Sequence, residues 1–296
     1  MRLDDTAEVV QHADLCLVRA RDRAVLRVRE RVTDRVWPCI LDRAAHIACH
    51  DTLPWIISVS LGPQIMPHFT SFDQRGYRTL PAREGYSRWA ATYDDTIKHD
   101  MDIWLLGELQ TVPWSSVERC ADIGCGTGRT AAWLASKGVR AIDGVDATPE
   151  MLERARARNV FASLNLADVS DTCLPAATYD LVMTCLVDEH LAELGPLYAE
   201  AARIAQDGAA FVIVGFHPFF IMAAGMPTHF KDNHGESVAI ETYVHLFSDH
   251  TKAAFAAGWQ LIEFREQVID DRWVKIKPTW GAYRDIPISF ACVWRR

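Results

Sequence analysis

The chain reads as an α/β protein whose larger part is an open, mostly parallel sheet with helices on both faces. Three observations predict this. From residue 86 onward, short apolar runs alternate with helical stretches at the spacing of βαβ units. A glycine-rich turn, Gly124-Cys125-Gly126-Thr127-Gly128, joins the first strand of that series to the helix after it. The first ~65 residues differ in composition: no Lys occurs before Gln64, Arg recurs at nine positions, and the first glycine is Gly62. We therefore divide the chain into an N-terminal extension, 1–75, and an α/β domain, 76–296.

The elements follow in order. In the extension, helical spacing is predicted from Thr6 to Arg35 with Thr6 as N-cap. Short helices are expected over Ser87–Tyr93 and Asp100–Leu109, the second capped by Asp100 or Asp102. Strands are read at Val117–Ile123, Val139–Val145, Val160–Asn165, Asp180–Cys185 and Ala209–Val214. Between them run helices at Arg129–Lys137, Pro149–Arg158, with proline in its first turn, and Glu189–Ala205. The nearly continuous apolar stretch Ala209 to Met226 contains Gly215, His217-Pro218 and Gly225, so it reads as a buried strand plus a loop rather than a membrane span. Ser248–Ala257 is a helix with Ser248 as N-cap and Gly258 as its stop. Strands Gln260–Val268 and Ile286–Trp294 close the series.

With 296 residues, 49% of them apolar and 24% charged, the chain is long enough to bury a full core. A net charge of -8 argues against a broad nucleic-acid or anionic-membrane surface. The eight cysteines show no disulfide-like spacing, and the first residues carry acids and no apolar core of a signal peptide, so a cytoplasmic setting is expected. Cys39, His46, Cys49 and His50 match no zinc spacing and read as packing residues; no metal site is expected. The composition break also allows Met66 to be the true start. Oligomeric state is not encoded legibly.

The chemistry concentrates beyond the carboxyl ends of the strands, where open α/β sheets bind ligands. Glycines let a backbone turn tightly and approach a ligand. The turn is ambiguous by itself, because Gly126-Thr127-Gly128-Arg129-Thr130-Ala131 also fits the dinucleotide pattern G-x-G-x-x-A. Three acids on successive strands discriminate. Asp122, just before the turn, can accept from an ammonium group and would repel a pyrophosphate. Asp146 ends the second strand, where a carboxylate can hold two ribose hydroxyls. Asp168 follows the third strand and can accept from an adenine amino group, or it can simply cap its loop.

Ala121-Asp122-Ile123-Gly124-Cys125-Gly126-Thr127-Gly128, Gly144-Val145-Asp146-Ala147-Thr148-Pro149-Glu150-Met151-Leu152, Leu166-Ala167-Asp168 and Tyr179-Asp180-Leu181-Val182 together resemble the class I S-adenosylmethionine-dependent methyltransferases. Tyr86-Ser87-Arg88-Trp89-Ala90-Ala91-Thr92-Tyr93-Asp94 resembles the opening helix of the ubiquinone- and menaquinone-biosynthesis branch. The resemblance covers about residues 80 to 296. It implies a Rossmann-like methyltransferase fold with seven strands, the last antiparallel, and S-adenosylmethionine as cofactor. It also implies roles: Asp122, Gly124, Gly126 and Gly128 at the methionine moiety, Asp146 at the ribose, Asp168 and Val169 at the adenine. Ala147 and Met151 would line the cleft, with Cys125, Ala167 and Cys185 beside it. Tyr86, Trp89 and Tyr93 would cover it, although Trp89 also reads as a core aromatic.

Methyl transfer from a sulfonium mostly needs alignment and exclusion of water, which is worth roughly 7–11 kcal/mol. A base is required only when the acceptor must lose a proton. His190, after the fourth strand, is a candidate base or a first-turn residue of the next helix; His217, after the fifth, is a second candidate. Phe216, Phe219 and Phe220 suit a wall for a planar apolar acceptor, and Tyr243 and His245 are expected to face the same cavity. His229 and His234 read as surface or lid residues. The reading is a small-molecule methyltransferase acting on an O, N or C nucleophile, with neither nucleic acid nor membrane as partner. The alternatives are a macromolecular methyltransferase, a NAD(P)-dependent oxidoreductase, and a protein that binds the cofactor without turnover.

Overall fold

The computed structural model describes residues 14–20, 23–29, 68–97 and 101–296. The chain separates into two compact units, Met1–Met66 and Pro67–Arg296.

In the first unit, β1 (Asp14–Ala20) and β2 (Arg23–Arg29) form an antiparallel pair with Leu17 opposite Leu26 and Val18 opposite Val25. This corrects the helix expected from Thr6 to Arg35. The arginines recur at every second or fourth place among Val25, Leu26 and Val28, and β-branched residues in a period-2 pattern favour a strand. Cys39, His46, Cys49, His50 and Asp100 lie outside the described residues, as does the rest of that helix.

In the second unit the elements are β3 (Arg78–Leu80), α1 (Ala82–Trp89), α2 (Tyr93–Thr96), α3 (Met101–Glu108), β4 (Arg119–Ile123), α4 (Arg129–Ser136), β5 (Ala141–Asp146), α5 (Pro149–Ala157) and β6 (Ser163–Leu166). There follow β7 (Tyr179–Cys185), α6 (Gly195–Ile204), β8 (Ala205–Phe216), α7 (Pro218–Ala224), β9 (His229–Lys231), β10 (Ser237–Ile240), α8 (Phe247–Ala256), β11 (Gln260–Val268), α9 (Asp271–Ile276) and β12 (Pro287–Arg295). The main sheet has seven strands in the order β11-β12-β8-β7-β4-β5-β6. Strands β4 to β8 pair parallel, while β12 runs antiparallel to both β8 and β11. The expected α/β class and antiparallel last strand are therefore present.

Both faces of the sheet are covered, and the strand residues show it. On β8, Phe211 and Ile213 pack with Tyr198 of α6 and Trp259, whereas Val212 and Val214 pack with Leu105 and Leu106 of α3 and Leu134 of α4. Alternate side chains point to opposite faces, so a strand buried on both sides reads as one continuous apolar run. The order reverses between β4 and β7, and the loops leaving these neighbours diverge there.

Several local expectations change. The stretch Glu189–Ala205 is not one helix: a 3-10 turn, Asp188–His190, precedes α6, whose start at Gly195-Pro196 uses proline in the first turn. Ser248 lies inside α8 rather than capping it; Asp249 instead accepts from the backbone N–H of Leu246 at 2.8 Å. Asp102 is likewise inside α3, its carboxylate turned to Arg129. The segment after β8 is the helix α7, not a loop. A small sheet, β3-β10-β9, sits beside the aromatic residues of α1 and α2. Among the described residues no helix is long and apolar enough to cross a membrane.

Candidate active site

The loop after β4 is built into the sheet by its own backbone. Gly124 and Cys125 both donate to the Val145 carbonyl, at 2.7 and 2.9 Å, which ties the turn to the end of β5. Gly124 has φ +75, and a Cβ there would stand 2.4 Å from Val187. Only glycine lets the loops after β4 and β7 approach this closely. Gly126 donates to Asp146 Oδ2 at 2.8 Å, while Thr148 N–H donates to Asp146 Oδ1 at 2.8 Å. Side chains clamp the turn from outside: Thr127 donates to Asp94 of α2 at 2.7 Å, Arg158 pairs with Asp94 at 3.0 Å, and Arg129 grips Asp102 of α3 with both oxygens at 2.7 and 2.9 Å. These bonds hold the N-terminal helices over the sheet edge.

Below them opens a cleft of about 230 Å³. Its floor is Gly124 and Gly126, its acids are Asp146 and Asp168, and Ala147, Met151, Val169 and Leu191 give apolar walls. Tyr86 and Tyr93 cover it, with Arg83 beside them, and Cys185, Leu186, Val187 and His190 close the β7 side. Leu186 has φ +58, a strained conformation for a leucine, at the point where the two loops meet. Burial pushes the Asp146 carboxyl up, against the backbone donors that pull it down. Its oxygens keep further lone pairs, since a carboxylate accepts about four hydrogen bonds. Asp168 spends Oδ1 on the N–H and hydroxyl of Ser170.

A second cavity, of about 320 Å³, lies on the other side of the aromatic cluster. Trp89 and Phe230 stack in its wall with centroids 5.5 Å apart, and Phe216, Phe220, Met226 and Trp280 complete an apolar lining. The turn Asp188–His190 separates the two spaces: Glu189 lines the larger cavity and His190 the cleft. His190 Nδ1 lies 2.7 Å from the Glu241 carbonyl, so Nδ1 carries the proton and Nε2 accepts from the Tyr86 hydroxyl at 2.9 Å. Burial lowers the His190 pKa, which favours the neutral ring. Glu189 accepts from Thr228 Oγ1 at 2.8 Å. Burial first, and the neighbouring Asp188 second, raise its pKa to about 8. Asp188 is buried in turn, 3.5 Å from His250 and under Gly215, where a Cβ would meet both its oxygens at 2.6 Å.

The expected cofactor residues divide. Tyr86, Tyr93, Gly124, Gly126, Asp146, Ala147, Met151, Asp168, Val169 and Cys185 converge on the cleft. Asp122 does not line it: the carboxyl lies under the loop, 1% exposed, accepting from Thr130 at 3.1 Å, and burial raises its pKa to about 7. Gly128 faces away, toward Phe161 and Arg158; Cys125 is buried beneath the turn, and Ala167 packs on the core. Trp89 belongs to the larger cavity rather than to the cleft.

The expected acceptor and base residues divide more sharply. Phe216 and Phe220 line the larger cavity, but Phe219 is half exposed outside it, because one turn of α7 carries adjacent residues to different faces. His217 is committed to structure: Nδ1 caps α7 by accepting from Phe219 N–H at 3.1 Å, and Nε2 donates to Glu266 at 2.8 Å. His245 is buried with Nε2 donating to the Leu191 carbonyl at 2.7 Å, and Tyr243 gives its backbone N–H to the Glu189 carbonyl at 2.7 Å. The segment carrying Tyr243 and His245 thus pins the 189–191 turn instead of facing the cavity. His229 lines the cavity on β9, while His234 is exposed. Residues that the sequence did not offer include Arg83, Glu189, Thr228, Phe230, Lys277 and Trp280; they come from distant segments with no shared motif.

Residues 121–213 match the model of the methyltransferase domain. The chain is similar to malonyl-[acyl-carrier protein] O-methyltransferase of Serratia marcescens, with 30% identity over 142 residues, 47% of this chain and 52% of that protein. It therefore spans about half the length of that relative. It is also similar to an uncharacterized methyltransferase of Emericella nidulans, with 26% identity over 240 residues, 65% of this chain and 82% of that one. Among solved structures, an S-adenosylmethionine-dependent methyltransferase from Mesorhizobium loti superposes with a TM-score of 0.53 at 21% identity, covering 66% of this chain and 96% of its own. The chain carries a methyltransferase domain, and its fold is that of the class I S-adenosylmethionine-dependent methyltransferases.

Proposed function

We propose that the cleft binds S-adenosylmethionine and that the larger cavity receives a small-molecule acceptor, to which the methyl group passes. The observation that carries this reading is the pairing of an acid-lined cleft on glycine loops with an aromatic cavity, separated by the aromatic cluster and the turn Asp188–His190. The cleft residues fit the cofactor. Asp146 has lone pairs left for two ribose hydroxyls, Asp168 has Oδ2 for an adenine amino group, and Ala147, Met151 and Val169 offer apolar surface for the ring. Arg83 adds a cation for the carboxylate of the amino-acid end. When bound, the cofactor supplies a methyl group already activated on a sulfonium.

The remaining work belongs to the chain. Tyr86, Tyr93 and Trp89 exclude water between the two spaces and so strengthen alignment. His190, locked as the Nδ1–H tautomer, fixes the Tyr86 hydroxyl and acts as a positioning residue. Glu189 is the acidic side chain that lines the acceptor cavity, and its carboxylate form can take a proton from an acceptor hydroxyl or ring N–H. The small-molecule assignment draws support from the mainly apolar cavity and from the negative net charge. Transfer of a labelled methyl group from S-adenosylmethionine into a fractionated metabolite extract, followed by identification of the product, tests it. Label confined to protein or RNA would replace the acceptor class; cofactor binding without any labelling would replace catalysis.

A further inference from the structure

The larger cavity holds a charge with no obvious use in the fold. Lys277 follows α9, and its ammonium lies 4.4 Å from the centre of the Trp280 ring, in a cation–π contact that orients it within the cavity wall. Among the described residues no carboxylate stands within ion-pair distance of it. The other lysine of the lining, Lys231, already donates to the Gly235 carbonyl at 3.1 Å. Partial burial lowers the Lys277 pKa, which is the cost of desolvating an ammonium. A half-buried cation kept without a partner is costly unless something else completes it.

The rest of the lining agrees on what that is. Burial raises the Glu189 pKa to about 8, so below that pH its carboxyl adds little negative charge to the space. Apolar and aromatic side chains make up most of the wall: Trp89, Phe216, Phe220, Ile221, Phe230 and Trp280. In this mainly apolar lining Lys231 is exposed and Lys277 is the half-buried ammonium, which matches a single negative charge on an apolar body.

We infer that the acceptor is an apolar or aromatic carboxylic acid, whose carboxylate pairs with Lys277 while its body lies between the Trp89–Phe230 stack and the Phe220–Trp280 wall. This rests on the reading of the larger cavity as the acceptor site. The acid's carboxylate is then the anchor and the atom to be methylated lies elsewhere on the molecule, toward Glu189. Lys277 is a specificity-determining residue, with no part in the transfer itself.

The test uses the full chain and matched pairs of probes: 3-phenylpropanoic acid with 3-phenylpropanamide, and 2-naphthylacetic acid with its amide. Trp89 and Trp280 line the cavity, so quenching of tryptophan fluorescence reads binding. The acids should bind at least tenfold more tightly than the amides. Lys277→Gln should erase that preference, Lys277→Arg should retain it, and Lys231→Gln should leave it unchanged. Equal affinity for acid and amide, no binding by either acid, or a preference that survives in Lys277→Gln would each overturn the inference. Calorimetry with S-adenosylhomocysteine on the same variants reads the cleft separately, and Lys277→Gln should bind it as the parent does. A parent that binds S-adenosylhomocysteine but shows no preference for acid over amide defeats this inference alone; a parent that prefers the acids but does not bind S-adenosylhomocysteine defeats the cofactor reading and leaves the acid site standing.

Discussion

The two cavities are made of different material. The cleft is built from backbone: glycine turns, carbonyl ties to Val145, and a carboxylate held by two N–H groups. The larger cavity is built from side chains supplied by α1, β8, α7, β9 and the stretch after α9. Backbone geometry demands particular residues at fixed spacing, because only glycine turns that way and only a short acid reaches those amides. A side-chain wall demands only size and polarity, which many residues satisfy. The first kind of site suits a fixed ligand, and the second suits a ligand that differs from one relative to another.

The largest effect should come where the two meet. Glu189→Gln should lower kcat by about a hundredfold, the usual scale for losing a general base. The parent kcat/KM should rise with pH toward about 8, as the Glu189 carboxylate forms, and the variant should lose that rise. A variant with an unchanged profile would move the proton acceptor elsewhere, or show that none is needed.

Next come the backbone positions. Gly124→Ala places a Cβ 2.4 Å from Val187 at φ +75, and should cost about 1–3 kcal/mol of stability along with cofactor affinity. Gly126→Ala meets no protein atom within 4 Å, so it should fold with only about 1 kcal/mol lost yet still intrude on the cleft. Thermal melts beside S-adenosylhomocysteine titrations separate these outcomes. If both variants bind as the parent does, the cleft is not gripped by its backbone.

The buried acids give a smaller, pH-dependent effect. Asp122 and Glu189 have folded-state pKa values of about 7 and about 8, above the ordinary carboxylate range. A raised value means the folded state holds the proton more tightly. The associated stability is therefore whole below the unfolded-state pKa and is lost as pH climbs toward and through the folded-state values. The melting temperature should fall from pH 5 to pH 8, and Asp122→Asn should flatten part of that slope. The smallest effect should be Phe219→Ser: half exposed and outside the cavity, it should change stability by less than about 0.5 kcal/mol and leave turnover alone.

The same contrast explains what could be read from the sequence. The strand–helix alternation, the glycine turn and Asp146 were legible because each is a local pattern with one physical reason. Asp122 carries the right residue type but serves the loop from beneath, a direction no spacing encodes. His217 stands after the fifth strand, where an imidazole could deprotonate an acceptor, but its ring is consumed by a helix cap and Glu266. Lys277, Phe230 and Trp280 follow α9 or sit on β9, far along the chain from Glu189, and only the folded sheet brings them to one wall. In the first unit, β1 and β2 show that arginines between valines can satisfy a strand as readily as a helix.

The central claim, that the backbone-built cleft is the methyl-donor site, is tested most directly by calorimetry of the parent and Asp146→Ala with S-adenosylhomocysteine and with NAD. Charge-assisted hydrogen bonds contribute about 1.5–3 kcal/mol each, so loss of one or two ribose bonds should weaken binding roughly tenfold to a hundredfold or more. The parent should bind S-adenosylhomocysteine and ignore NAD, and Asp146→Ala should lose most of that affinity while still folding. Tight NAD binding with no response to S-adenosylhomocysteine would contradict the account.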